Sequence, residues 1–224
     1  MIVKIFELKK KNLEKFNFFL LYGNNKGLIQ ETIENQLKKI LPKNIYNYEE
    51  NDILQNSENF KENLLTKSFF DDKKLIIISR TTDKIFNIIE EIIEKDLEDI
   101  SLILESTQLE KKSKLRNYFE KNSKTICIPF YEDNNLTLDL LTKNFLKEKN
   151  INLSQQNINL IIDRSKGDRL NLKNELNKIE LYSKNKKKID YEDILKFPRN
   201  QYFFYSWSIA LFYLVHFSSL ICHL

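Results

Sequence analysis

The residues whose types and spacing come closest to chemistry form a glycine-bounded loop near the start of the chain. Phe18-Phe19-Leu20-Leu21-Tyr22 reads as a buried strand, Gly23-Asn24-Asn25-Lys26-Gly27 as a turn, and Leu28 to Leu41 carries a helical apolar pattern. Strand, loop and helix in that order build a phosphate-binding loop. Backbone N–H groups surround the phosphates, a lysine reaches the β- and γ-phosphates, and a hydroxyl holds Mg²⁺. That chemistry requires a Gly-Lys-Ser or Gly-Lys-Thr step. Here Gly27 is followed by Leu28 and Ile29, so both ligands are missing.

An ATPase also needs a carboxylate at a strand end to organise metal and water. Leu75-Ile76-Ile77-Ile78 is followed by Ser79-Arg80, which has the wrong charge. Glu105, after Leu102-Ile103-Leu104, is the remaining candidate, and a lone glutamate there reads more simply as a solvated strand end. The loop is therefore expected to be a degenerate P-loop, without a catalytic residue or a cofactor. The competing enzymatic reading is a divergent P-loop ATPase or kinase that uses Lys26 and Glu105. With His216 and His223 the only histidines, a His-based metal site and a Ser-His-Asp triad are excluded, and no metal site is expected.

Two further groups suit binding. Ser68-Phe69-Phe70 sits between a helical pattern and a strand pattern, with charged residues on both sides. Adjacent aromatics cannot both face one core from a helix end, and an exposed aromatic pair with a charged rim has the composition of a protein-binding hot spot. Closure of the sheet's core by Phe69 and Phe70 is the other reading, and at this level both stand. Basic clusters occur at Lys9 to Lys11, at Lys111, Lys112, Lys114 and Arg116, and at Lys184 with Lys186 to Lys188. The first and last have acids nearby and read as solvated ends. The middle one opens a helix after a strand, where basic side chains can reach a phosphate backbone.

The elements that must position these residues follow from periodicity. Strand-like runs at 18–22, 75–78, 102–104 and 126–128 alternate with helical patterns, such as Ile85, Ile88, Ile89, Ile92 and Ile93. Nearly continuous apolar strands separated by helices predict an α/β fold, a parallel sheet covered on both faces. Beyond Pro129 the pattern is helical only: Leu136 to Lys149, Ser154 to Ser165 and Asp168 to Ser183, with Ser154 and Asp168 as caps and Gly167 as a terminator. The expected organisation is an α/β domain over 1–133, a three-helix domain over 134–198 and an atypical tail over 199–224.

Composition narrows the class. The chain has 36 basic and 32 acidic residues, a net charge of +4, which permits contact with nucleic acid without demanding it. Cys127 and Cys222 form no spacing pattern and no signal peptide is recognised, so a cytoplasmic location is the expectation. Residues 201–224 contain no Asp, Glu, Lys or Arg and just reach the length of a membrane span. Ser206, Ser208, Ser218 and Ser219 dilute that run, so a membrane tether is the disfavoured alternative.

Three stretches together resemble the δ subunit of the bacterial DNA polymerase III clamp loader, an AAA+-like family. They are Phe18 to Gly23; Leu104-Glu105 through Leu109-Glu110-Lys111-Lys112-Ser113-Lys114-Leu115; and Gly167-Asp168-Arg169-Leu170 with Glu175 to Ile179, Tyr182 and Ile189 to Ile194. The resemblance covers about residues 1–197 and implies a sheet domain followed by a lid domain. It also implies that Ser68, Phe69 and Phe70 dock on the ring-shaped sliding clamp and hold one ring interface open, while ATP binds in neighbouring subunits. The implied partners are the sliding clamp, the other clamp-loader subunits and, through the complex, primer-template DNA. Family members continue into a helical collar domain; here the likeness fades after Lys196-Phe197-Pro198.

Overall fold

The computed structural model describes residues 1–8, 11–65, 73–95, 97–184 and 188–198. The chain divides into two units, Met1–Glu132 and Asp133–Leu224.

The first unit opens with α1 (Ile5–Leu8), then β1 (Phe18–Gly23) and α2 (Lys26–Thr32), which continues through a π-turn at Ile33–Leu37 into α3 (Lys38–Ile40). There follow β2 (Asn44–Glu49), α4 (Glu50–Gln55), α5 (Ser57–Leu65), β3 (Lys74–Ser79), α6 (Phe86–Glu94), β4 (Ile100–Ser106), α7 (Lys114–Lys121) and β5 (Thr125–Phe130). All pairings are parallel, in the order β2-β3-β4-β1-β5. The chain therefore builds outward and back on one side of β1, then jumps across it to β5. That jump makes the C-terminal end of β1 the topological switch point, the place where open parallel sheets bind ligands.

The two-residue period of the strands sorts their side chains onto two cores. Phe18, Leu20, Tyr22, Ile76, Ile78, Leu102 and Leu104 pack with Phe60, Ile89, Ile93, Leu115 and Phe119 on one face. Phe19, Leu21, Leu75, Ile77, Ile103, Ile126 and Ile128 pack with Ile29, Ile33, Leu37 and Leu8 on the other. Burial on both faces is why β1, β3, β4 and β5 are predominantly apolar.

The periodicity reading gives four strands, and the structure adds a fifth, β2. It lies at one end of the sheet and is largely exposed, with Ile45 packed on one core and Tyr48 on the other. Its faces are only partly covered, so Asn44-Ile45-Tyr46-Asn47-Tyr48-Glu49 gives no continuous apolar run.

The second unit contains α8 (Asn135–Glu148), α9 (Gln155–Ser165), α10 (Arg169–Ser183) and α11 (Tyr191–Lys196). Asn134, Ser154 and Asp168 cap the first three, their side-chain oxygens accepting from the backbone N–H groups of Thr137, Asn157 and Asn171. Helix α9 ends on two left-handed residues, Lys166 and Gly167. The fourth helix was not expected. It is six residues long, too short to hold by itself, and starts on a capping box between Asp190 and Asp193.

Packing supplies the rest of α11's support. Ile194 and Phe197 enter a core with Leu138, Leu146, Ile161, Leu172 and Ile179. Arg164 donates to the carbonyls of Ile194 and Phe197, and Lys178 to that of Pro198. Both cations share the buried Glu175 carboxylate, at 2.8 and 2.6 Å. Among the described residues no helix is long and apolar enough to cross a membrane; the tail at 199–224 lies outside them.

Candidate functional site

The loop Gly23 to Gly27 sits at the switch point, and its backbone is too short for a phosphate cradle. A P-loop has four residues between its glycines; here there are three, and α2 already starts at Lys26. Gly23 is the last residue of β1, in register with Phe130 of β5, and has φ +138°. A Cβ at this position would collide with the Phe130 carbonyl, 2.8 Å from its carbon. This glycine therefore serves close packing of two strands.

The anion-attracting N-terminus of α2 is occupied from within. Asn25, buried, caps the helix through its Oδ1, which accepts from the Leu28 N–H at 3.1 Å. Its Nδ2 donates to the Tyr131 carbonyl at 3.0 Å. Asn24 Nδ2 donates to Glu132 Oε1 at 3.1 Å, which places a carboxylate beside the loop. Lys26 is exposed. Its N–H donates to Asn24 O at 3.0 Å.

Glu105 lies on β4 opposite Leu21 of β1 and is half-buried. Burial pushes its carboxyl above the usual range, with the Lys38 charge opposing. The end of β3 carries a hydroxyl and carboxylate network that sequence reasoning missed. Glu50, 5% exposed, accepts from the N–H and hydroxyl of Thr82 at 2.7 and 3.0 Å. Thr81 and Ser106 share a hydroxyl contact of 2.6 Å. These bonds fix the turn at Arg80, a left-handed residue whose guanidinium pairs with Glu49 at 3.1 Å. Each of these polar groups is spent on holding the strand ends, and in sequence they are scattered among ordinary loop residues.

The basic cluster at α7 separates in space. Lys111, Lys112 and Lys114 are exposed. Lys112 meets Glu110 at 3.0 Å, a pair so open to solvent that it holds the lysine only weakly. Arg116, two residues further along the helix, points elsewhere. Its guanidinium lies 4.9 Å from the Tyr22 ring centroid, bonds Glu120 at 2.7 Å and donates to the Leu109 carbonyl at 3.1 Å. Burial pushes the Tyr22 hydroxyl up to about 12.

The start of α7 is held by a distant carboxylate. Asp83 accepts from Ser113 Oγ at 2.6 Å and from the N–H groups of Lys114 and Leu115 at 3.1 and 3.0 Å. Ser68, Phe69 and Phe70 lie outside the described residues, between α5 and β3. Among the described residues no group of three or more His, Cys, Asp or Glu side chains could hold a metal ion.

A family model described as DNA polymerase III, delta subunit, matches residues 19–129, a span from β1 through β5 that contains the loop and the basic cluster. Residues 19–129, just under half of the chain, are those of the DNA polymerase III delta-subunit family. No curated protein matches the sequence significantly. The DNA clamp loader delta protein of Bacillus subtilis is 17% identical, with a TM-score of 0.52; the match covers 87% of this chain and 61% of that one. The chain thus spans less than two thirds of that delta protein's length.

The RuvB Holliday junction branch migration motor of Thermotoga maritima is 15% identical, with a TM-score of 0.56, over 86% of this chain and 67% of its own. Domain III of the Thermotoga maritima replication initiation protein DnaA is 13% identical, with a TM-score of 0.50, over 85% and 86%. At such identities the likenesses establish the fold, an AAA+-like α/β unit followed by helices. Within that fold this chain fills its own switch point with Asn25.

Proposed function

We propose that this chain is a clamp-loader delta subunit, a binding protein that docks on the ring-shaped sliding clamp and favours its open form without hydrolysing ATP. The observation that carries this reading is the delta-family match over a unit whose nucleotide loop lacks Gly-Lys-Ser/Thr and is occupied by Asn25. A subunit that cannot use ATP acts through differential affinity. It shifts the clamp toward the open ring by the amount that it binds that form more tightly.

The docking residues assigned on the family resemblance are Ser68, Phe69 and Phe70. Two aromatic rings entering an apolar pocket supply the buried area that dominates such interfaces. Helix α5, which leads into them, is seated by Phe60 against Tyr48, with ring centroids 5.2 Å apart, and by Lys61 on Glu91 at 2.6 Å. Lys111, Lys112 and Lys114 are the candidates for primer-template phosphates; Arg116, committed to Tyr22 and Glu120, leaves that set. ATP is bound by neighbouring clamp-loader subunits.

A pull-down with purified sliding clamp tests the docking. Wild type is expected to retain the clamp and the double variant Phe69→Ala/Phe70→Ala to lose it. Equal retention removes the assignment. Titration with ATP, with and without Mg²⁺, tests the loop, and micromolar binding would favour the ATPase reading instead.

A further inference from the structure

Between β4 and α7 the backbone is tied down at every second residue. The Ser113 N–H donates to the Glu110 carbonyl at 3.0 Å, which closes a four-residue turn with Lys111 and Lys112 at its two corners. Before that turn, the buried Leu109 offers its carbonyl to Arg116 Nη1 at 3.1 Å. Within it, the Lys111 carbonyl accepts from Asn117 Nδ2 at 2.8 Å. At its end, Ser113 Oγ and the N–H groups of Lys114 and Leu115 are held by Asp83. All of these partners belong to the first unit. Meanwhile the side chains of Lys111, Lys112 and Lys114 stay exposed.

Lysines on a loose loop lose backbone freedom when they close on a ligand, and that loss weakens binding. Here folding has already fixed the backbone, while the cations still face water. Residues 110–114 include no aromatic side chain, so there is no platform for stacking on bases. The chemistry offered is that of phosphate contacts, which are independent of sequence.

We propose that residues 109–114 form a preorganised grip for the phosphate backbone of a nucleic acid, with Arg116 and Asn117 as its positioning residues. The proposal rests on the reading of Lys111, Lys112 and Lys114 as the residues that meet primer-template phosphates. Arg116 and Asn117 act through the carbonyls of Leu109 and Lys111. Arg116 is itself seated on the Tyr22 ring and Glu120, so the grip is referenced to β1 and α7. Removing one tie leaves every phosphate ligand in place, so the same counterions are released and the salt slope stays. The lost order must then be supplied on binding, so affinity falls at every salt concentration.

Fluorescence anisotropy of the full chain with a primed duplex, between about 50 and 200 mM salt, tests this. Asn117→Ala frees the Lys111 carbonyl, while the Ser113 carbonyl keeps its helical bond from the Asn117 N–H. Arg116→Lys keeps the charge and loses the fork, which gives a second, independent variant. Each is expected to weaken binding by about threefold to tenfold at every salt concentration, with slope and binding stoichiometry unchanged. A protein that had merely lost folded molecules would instead show a lower stoichiometry at the wild-type affinity. Lys111→Ala/Lys112→Ala/Lys114→Ala, measured alongside, is expected to flatten the slope. If that triple variant flattens the slope but either positioning variant binds as wild type, the grip is overturned and the phosphate reading stands. A positioning variant that flattens the slope, or loses stoichiometry alone, also overturns it. If the triple variant leaves slope and affinity unchanged, the phosphate reading fails and the grip with it.

Discussion

Gly23 and Gly167 both have positive φ, yet different physics holds them there. At Gly23, φ is +138° and the space a Cβ would need is filled by the backbone of Phe130, which is locked in a parallel ladder and cannot withdraw. At Gly167, φ is +77° and nothing lies within 4 Å, so the constraint is the dihedral alone. Gly23→Ala combines strain with overpacking and is expected to cost about 3 kcal/mol or more. Gly167→Ala is expected to cost about 1 kcal/mol. Urea unfolding of the two variants against wild type checks the ranking, and equal losses would contradict the packing argument. Arg116 teaches a related point. In the linear sequence it belongs to a basic cluster with Lys114, but residues two apart on a helix do not share a face. Its guanidinium meets Tyr22 and Glu120 while Lys114 stays in water.

At the scale of elements, α7 begins where a side chain thirty residues away ends its open N–H groups. Burial pushes the Asp83 carboxyl up, but the hydrogen bonds from Ser113, Leu115 and Lys114 outweigh it and hold the group below its ordinary value. A carboxylate with a lowered folded pKa stabilises the protein above its unfolded pKa of about 3.9 and loses that contribution as pH falls through the lower folded value. Asp83→Ala should cost about 1 kcal/mol at neutral pH, the usual size of a lost cap. Its deficit relative to wild type should shrink below about pH 4. Unfolding measured from pH 7 down to pH 2.5 checks this, and a deficit that grows on acidification would refute it.

The same contact marks the limit of what sequence can reveal about elements. Ser154 and Asp168 are legible caps because cap and helix are adjacent in the chain. Asp83 is illegible because its helix is remote, and β2 because its faces are too exposed to need an apolar run. The other four strands declare themselves by being buried on both faces. The degenerate loop was readable from its missing ligands, but its occupation by Asn25 depends on a carbonyl more than a hundred residues away.

For the molecule as a whole, the proposed working surfaces differ in kind and should therefore separate under salt. Docking by Phe69 and Phe70 on a clamp pocket is apolar burial, which screening of charge leaves largely intact. Contact of Lys111, Lys112 and Lys114 with DNA phosphates releases counterions, so its affinity falls steeply with salt. Lys111→Ala/Lys112→Ala/Lys114→Ala is expected to flatten the dependence of log affinity on log salt by about one for each lysine, close to three in total. The same variant should keep its hold on the clamp. Phe69→Ala/Phe70→Ala should give the opposite result, releasing the clamp with the DNA slope unchanged. Fluorescence anisotropy with a primed duplex between 50 and 200 mM salt, read beside the clamp pull-down, compares the two (both concentrations are about the range over which phosphate contacts are lost). If the lysine variant keeps the full slope, the basic cluster at α7 is a solvated helix start. A slope reduced in both variants would mean that the aromatic pair also touches DNA, and the division of labour between the two surfaces would fail.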